Sequence, residues 1–216
     1  MLKYAFFDLD GTLSNSAKGI MKAIKYALRN FDIEIDDEEY LKRYIGAPLV
    51  DCFMEFNGFT KEQAELALGY YRDYYLTVGR FDNALFDGIS DMLKTLNKNG
   101  VRCIVATSKP TDFMGNDLEY LGLNRYLYKA FGASMDASRR HKKDIISFAL
   151  KSLNVNADEC VMVGDHHNDI IGANENNLKS IAVTYGYGVK RELLRYNPTY
   201  MVDSVNELKN ILLTLI

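Results

Sequence analysis

Short apolar runs set far apart constrain what this chain can fold into. Residues 4–7, 101–106, 160–163 and 180–183 are each nearly continuous in apolar, β-branched or aromatic side chains, and a weaker run lies at 200–202. Unbroken apolar strands are buried on both faces, the environment of a parallel sheet covered by helices. Helical stripes separate the runs. Ile89, Met92, Leu93 and Leu96 recur at i, i+3, i+4 and i+7 and meet a stop at Asn99-Gly100. Ile145, Ile146, Ala149, Leu150 and Leu153 form a second stripe, and Val205, Leu208, Ile211 and Leu212 a third. Such alternation predicts an α/β fold whose core is a doubly wound, Rossmann-like parallel sheet.

One stretch breaks the alternation. After the first run, no convincing strand occurs for more than 90 residues. Helical patterns fill the gap at 17–29, 36–45, 48–56 and 61–78. Asp36 and Glu39 look like a capping box at one helix start, and Thr60 with Gln63 forms the box proper at another. This predicts a small all-helical cap over 15–82, inserted into an α/β core made of 1–14 plus 83–216. The total of 216 residues suits that division, because single domains centre on about 100–150 residues.

Composition narrows the function. Hydrophobic residues make up 48%, charged residues 25%, and the formal net charge is −3. The chain is too apolar for disorder and too weakly charged for a basic nucleic-acid binder. Its basic run, Arg139-Arg140-His141-Lys142-Lys143, reads as a solvated loop before a helix, from which one lysine can reach inward. Cys52, Cys103 and Cys160 are odd in number and lack a CxxC pair, which argues against a disulfide framework or structural zinc. Cys103 and Cys160 sit in apolar runs and read as core residues. The N-terminus meets Asp8 and Asp10 too early for a signal peptide, and no run reaches the ~18 apolar residues of a membrane span. The expectation is a reduced cytoplasm.

The chemistry gathers at the carboxyl ends of the apolar runs, where open α/β sheets bind ligands. Asp8-Leu9-Asp10-Gly11-Thr12 places two carboxylates around a turn that Gly11 permits. One carboxylate can attack as a nucleophile while the other handles protons. Gly164-Asp165-His166-His167-Asn168-Asp169 ends another run. Hard oxygen ligands from two strand ends suit Mg²⁺. His166 and His167 are adjacent, point apart and lack a partner pattern for zinc, so they read as loop residues. Thr107-Ser108-Lys109-Pro110 offers a hydroxyl and free backbone N–H groups beside a helix start, an anion site.

Taken in order, Asp-x-Asp-Gly-Thr, Thr-Ser, Lys and Gly-Asp-x-x-x-Asp resemble the four motifs of the haloacid dehalogenase superfamily of aspartate-nucleophile phosphatases. The resemblance covers essentially the whole chain. The segments Val183-Thr184-Tyr185-Gly186-Tyr187-Gly188, Val202-Asp203-Ser204, Tyr44-Ile45-Gly46-Ala47-Pro48-Leu49 and Tyr70-Tyr71-Arg72-Asp73-Tyr74-Tyr75 look most like the phosphoglycolate phosphatase branch. What the resemblance implies is specific. Asp8 takes the phosphoryl group. Asp10 protonates the leaving alcohol and then activates water. Thr107 binds phosphoryl oxygens, and Lys142, favoured over Lys143 by its position before the helix, neutralises them. Gly11, Thr12, Ser108, Lys109 and Lys143 complete the phosphate-binding set. Asp8, Asp10 through its backbone carbonyl, Asp165 and Asp169 surround Mg²⁺. The expected partner is a small phosphate ester, phosphoglycolate first and a nucleoside 5′-monophosphate next, with no nucleic acid or membrane and a monomer or homodimer as the assembly.

Two departures bear on the substrate: Asn15 stands where close relatives often have Asp, and Lys143 follows Lys142 where a proline is usual. A sugar-phosphate mutase is the nearest rival, but its cap-hinge histidine has no match in Ala17-Lys18-Gly19-Ile20. A dehalogenase would leave Asp10 without a role. A phosphonate hydrolase would need a Schiff-base lysine, for which Lys18, Lys22, Lys25 and Lys42 are candidates. A non-catalytic phosphoryl-binding module predicts loss of a carboxylate, and all four are present. A receiver domain lacks both the cap and the Asp-x-Asp-Gly-Thr turn.

Overall fold

The apolar runs become neighbouring strands of one sheet in the computed structural model, which describes residues 1–134, 136 and 138–216. In chain order the elements begin β1 (Tyr4–Phe7), β2 (Ser14–Asn15), α1 (Ala17–Arg29), α2 (Glu38–Lys42), α3 (Leu49–Asn57), α4 (Lys61–Thr77) and β3 (Ala84–Leu85). They continue α5 (Ile89–Lys98), β4 (Arg102–Pro110), α6 (Thr111–Tyr120), β5 (Leu127–Ala133), α7 (Lys142–Leu153), β6 (Cys160–Gly164) and α8 (His167–Glu175). The last are β7 (Lys179–Val183), α9 (Lys190–Leu194), β8 (Tyr200–Val202) and α10 (Val205–Thr214).

Six strands pair in the order β5-β4-β1-β6-β7-β8, and every pairing is parallel. The chain runs outward from β1 through β4 to β5, then returns to β6 on the other side of β1. That reversal opens a crevice at the carboxyl ends of β1, β4 and β6, the position from which Asp8, Thr107 and Asp165 project. Helices cover both faces. Leu93, Leu96, Leu208 and Leu212 pack with Phe7 and Val163 on one side; Ile145, Ile146 and Ala173 pack with Phe6 and Met162 on the other.

Helices α1–α4 carry a hydrophobic core of their own, built on Ile24, Leu28, Leu41, Tyr44, Phe53 and Tyr75 and joined by Phe113 from α6. Complete burial of a side chain such as Phe53 or Leu28 contributes about 1.5–3 kcal/mol. Thr60 and Gln63 make the capping box at the start of α4. The start of α2 differs from expectation: Asp37, not Asp36, caps it by accepting from the Glu39 and Tyr40 N–H groups, while Asp36 pairs with Lys25.

Several elements escaped the sequence reading, α9 among them. Strand β5 lies at the sheet edge with its first half exposed, so it lacks an apolar run. The stripe of α6 is Phe113, Met114, Asp117 and Leu118, and the buried carboxylate interrupts it. Strands β2 and β3 pair antiparallel, Ser14 opposite Leu85 and Asn15 opposite Ala84, where the chain enters and leaves the helical stretch. The three cysteines are free and buried, and burial pushes each thiol up to about 12.

Candidate active site

The turn after β1 sets the site. Leu9 O accepts from the Leu13 and Ser14 N–H groups, and Gly11 N–H donates to Ser14 O. Closing this loop puts Gly11 at φ +85°, a conformation that favours glycine. A β-carbon on Gly11 would also overlap the Asp165 carboxylate. A β-carbon on Gly186, in the loop after β7, would overlap both Gly11 O and Asp165. The two glycines together leave room for this side chain. Thr12 Oγ1 donates to Asp165 Oδ1 at 2.9 Å and the Tyr187 N–H to Asp165 Oδ2 at 2.8 Å, which fixes its orientation.

Asp8, Asp165 and Asp169 each present an oxygen to a common point, these atoms lying within 4.8 Å of one another. All three are buried. Burial, then repulsion from Asp8 and Asp169, pushes the Asp165 carboxyl up to about 8. Burial also raises Asp169, to about 7, against the pull of Lys142. Carboxylates that resist ionisation at close quarters are relieved by a cation, and an all-oxygen set fits a hard divalent ion such as Mg²⁺. Asp169 also accepts from the His166 N–H at 3.1 Å, and His166 Nδ1 accepts from the Asn168 N–H at 3.3 Å, so the pair caps α8. Burial lowers the His166 imidazole to about 3 and keeps it neutral. His166 packs against Gly46 of the helical stretch, and His167 stacks on Tyr196.

Two ammonium groups anchor the acids. Lys142 Nζ lies 2.9 Å from Asp8 Oδ1 and 2.7 Å from Asp169 Oδ1, and donates to Ala106 O at 3.0 Å. Burial works against its charge, but Asp169 and Asp8 outweigh burial and raise its pKa. Lys109 Nζ is 3.1 Å from each Asp10 carboxylate oxygen and also meets Tyr75 and Asp117. Here too Asp10, Tyr75 and Asp117 outweigh burial and raise the pKa.

A cavity of about 160 Å³ opens beside Asp8, Asp10 and Lys109. Asp8, Asp10, Thr107, Ser108 and Lys109 form its floor, while Tyr44, Leu49, Leu68, Tyr71 and Phe113 supply apolar walls beside Arg72 and Arg140. Thr107 Oγ1 accepts from the Lys109 N–H at 3.3 Å, which leaves its own hydrogen free for a ligand. The structure thus brings Asp8, Asp10, Gly11, Thr107, Ser108, Lys109, Lys142, Asp165 and Asp169 together. Thr12 is near them but bound to Asp165 rather than facing the cavity. Lys143 stands apart, exposed and 3.6 Å from Glu175. Lys18, Lys22, Lys25 and Lys42 form ion pairs with Asp82, Asp36 and Glu39 and do not line the cavity. Asp117, Tyr75 and Tyr187 were missed. The one signal for Asp117 is a carboxylate on the buried stripe of α6.

Acids and lysines at the carboxyl ends of a parallel sheet, beneath a helical insertion, define a class of hydrolase. The sequence matches the haloacid dehalogenase-like hydrolase family over residues 5–183, and the chain belongs to that family. Within it the chain is a phosphatase, a phosphoric monoester hydrolase. A crystal structure of a predicted phosphatase from Clostridium acetobutylicum superposes with a TM-score of 0.97 at 44% identity, covering 99% of both chains. A 5′-nucleotidase of Pseudomonas aeruginosa is 35% identical over 95% of this chain and 93% of its own length. A phosphoglycolate phosphatase of Colwellia psychrerythraea is 28% identical over 94% and 93%. Among the described residues, no helix is long and apolar enough to cross a membrane.

Proposed function

We propose that the chain is a Mg²⁺-dependent phosphatase that hydrolyses a small phosphate monoester through an aspartyl-phosphate on Asp8. The carrying observation is the convergence of Asp8, Asp165 and Asp169 within 4.8 Å, with Asp8 also lining a cavity that holds Asp10 and Thr107. In this reading Asp8 Oδ2 attacks phosphorus while Oδ1 stays on Lys142 and the Leu9 N–H. Asp10 delivers a proton to the departing alkoxide and then takes one from the water that hydrolyses the aspartyl-phosphate. Thr107 and the adjacent backbone N–H groups hold the phosphoryl oxygens. Mg²⁺, when bound by Asp8, Asp165, Asp169 and the Asp10 carbonyl, supplies positive charge against which the phosphoryl group is oriented. The helical stretch 15–82 acts as a cap that excludes water and bulky esters.

Phosphoglycolate as substrate has the support of the relative of that name. The cavity walls favour a second reading. Tyr44, Tyr71 and Phe113 offer aromatic faces that a glycolate leaving group does not need but a nucleoside does, and the 5′-nucleotidase relative supports it. Turnover of 4-nitrophenyl phosphate with and without Mg²⁺ tests the chemistry. Asp8→Asn is expected to lower it at least about a thousandfold with the circular dichroism spectrum unchanged. Undiminished turnover in that variant would remove Asp8 from the mechanism. A parallel comparison of kcat/KM on phosphoglycolate and on nucleoside 5′-monophosphates decides between the two substrates.

A further inference from the structure

Each ammonium at the site has three hydrogens to give. Lys142 donates to Ala106 O and forms ion pairs with Asp8 and Asp169, all within the α/β core. Lys109 faces Asp10, Asp117 and the Tyr75 hydroxyl, the last at 2.8 Å. It has none left for a phosphate oxygen while this arrangement holds. Tyr75 differs from the rest in its origin: it comes from α4, within the helical stretch, while Asp10, Lys109 and Asp117 come from the core. Its hydroxyl closes the network, accepting from Lys109 and donating to Asp117 Oδ2 at 2.7 Å. Its ring lies beneath the same ammonium, 4.7 Å from the centroid, and stacks on Tyr71 and Phe113. Asp117 is buried on α6 and does not itself line the cavity; its bonded partners are Lys109 and Tyr75.

We propose that Asp117 and Tyr75 are positioning residues that act on Asp10 through Lys109, so that Asp10 is aimed at the leaving-group oxygen only while α4 is docked on the core. This rests on the reading of Asp10 as proton donor. Asp117 keeps Lys109 from rotating toward the other acids of the site. Tyr75 supplies the remaining acceptor, and withdrawal of α4 removes it. Lys109 then gains a free hydrogen and a second place to point, and the geometry of Asp10 loosens. The acid is thereby assembled by the same movement that shuts the cavity.

The test exploits leaving-group chemistry. 4-Nitrophenolate departs without a proton, whereas the alkoxide of an alkyl phosphate needs one. Tyr75→Phe keeps the stacked ring and removes the hydroxyl; Asp117→Asn removes the anion. In both, turnover of an alkyl phosphate accepted by the wild type, taken from a phosphate-ester panel, is expected to fall about tenfold or more, part of the ~10²–10⁴ that a general acid contributes. The single-turnover rate of 4-nitrophenolate release, which precedes the water step that Asp10 also serves, should stay within about twofold. A structural role alone lowers both substrates together. Equal losses in 4-nitrophenolate release and in alkyl-ester turnover, or no loss in either, in a folded Tyr75→Phe protein would overturn the proposal. If Asp117→Asn fails to fold, Tyr75→Phe decides alone. Wild-type inactivity on both esters, or an Asp8→Asn variant as active as wild type, would instead remove the phosphatase reading beneath it.

Discussion

At the scale of single residues, the site is a set of acids whose environments differ. Asp165 shows this best. It packs against Gly11 and Gly186, takes hydrogen bonds from Thr12 and the Tyr187 N–H, and faces two further carboxylates. Gly186→Ala is therefore expected to displace Asp165 and raise the Mg²⁺ concentration needed for half-maximal activity about tenfold or more, read from a metal titration of turnover. An unchanged requirement would mean this close packing does not orient the ligand. Asp8, Asp10, Asp165 and Asp169 were legible in the sequence because all four lie at or a few residues beyond the end of a buried apolar run. Asp117 and Tyr75 were not, because their significance is a contact made across elements far apart in the chain. Tyr187 was visible only within a segment that resembles the phosphoglycolate phosphatase branch; its N–H on Asp165 and its hydroxyl on the Ala17 N–H and Asn15 follow from the return of the chain after β7.

At the scale of elements, legibility followed burial. Strands β1, β6 and β7 are inner strands, nearly all apolar, and their positions could be read within a residue or so. Strand β5 is an edge strand with Tyr128 and Lys129 exposed, so its pairing with β4 and not its composition makes it a strand. Helix α6 escaped because its buried stripe includes a charge that only Lys109 and Tyr75 explain. In the helical stretch, local signals sufficed. The capping box at Thr60 anchors α4, the helix that carries Tyr71, Arg72 and Tyr75. Thr60→Ala is expected to cost ~1 kcal/mol, measured as a lower midpoint in urea at unchanged slope. A midpoint equal to wild type would show that packing of α4, not its cap, sets the stability of the element.

At the scale of the whole molecule, charge balance links stability to metal and pH. The carboxyls of Asp165 and Asp169 have folded values of about 8 and about 7, against about 4 in an unfolded chain. Between those limits the folded state holds protons that the unfolded state has released. Stability of the metal-free protein therefore falls as pH rises from about 4 to about 8. A bound divalent cation replaces those protons and removes the penalty. Differential scanning calorimetry should show Tm of the chelated protein declining across that window, with Mg²⁺ raising Tm most at pH 8 and least near pH 5. A Mg²⁺ effect that is largest at pH 5 would contradict the assignment of these acids to the metal.

The central claim is that Asp8 carries the phosphoryl group between substrate and water. Acid quenching during steady-state turnover of a phosphate ester labelled at phosphorus, followed by peptide mapping, tests it directly. The expected result is a hydroxylamine-sensitive label on the N-terminal peptide that contains Asp8, lost in Asp8→Asn. Label on another residue, or wild-type turnover that leaves no label on this peptide under conditions where a phosphoaspartate standard survives, would contradict it.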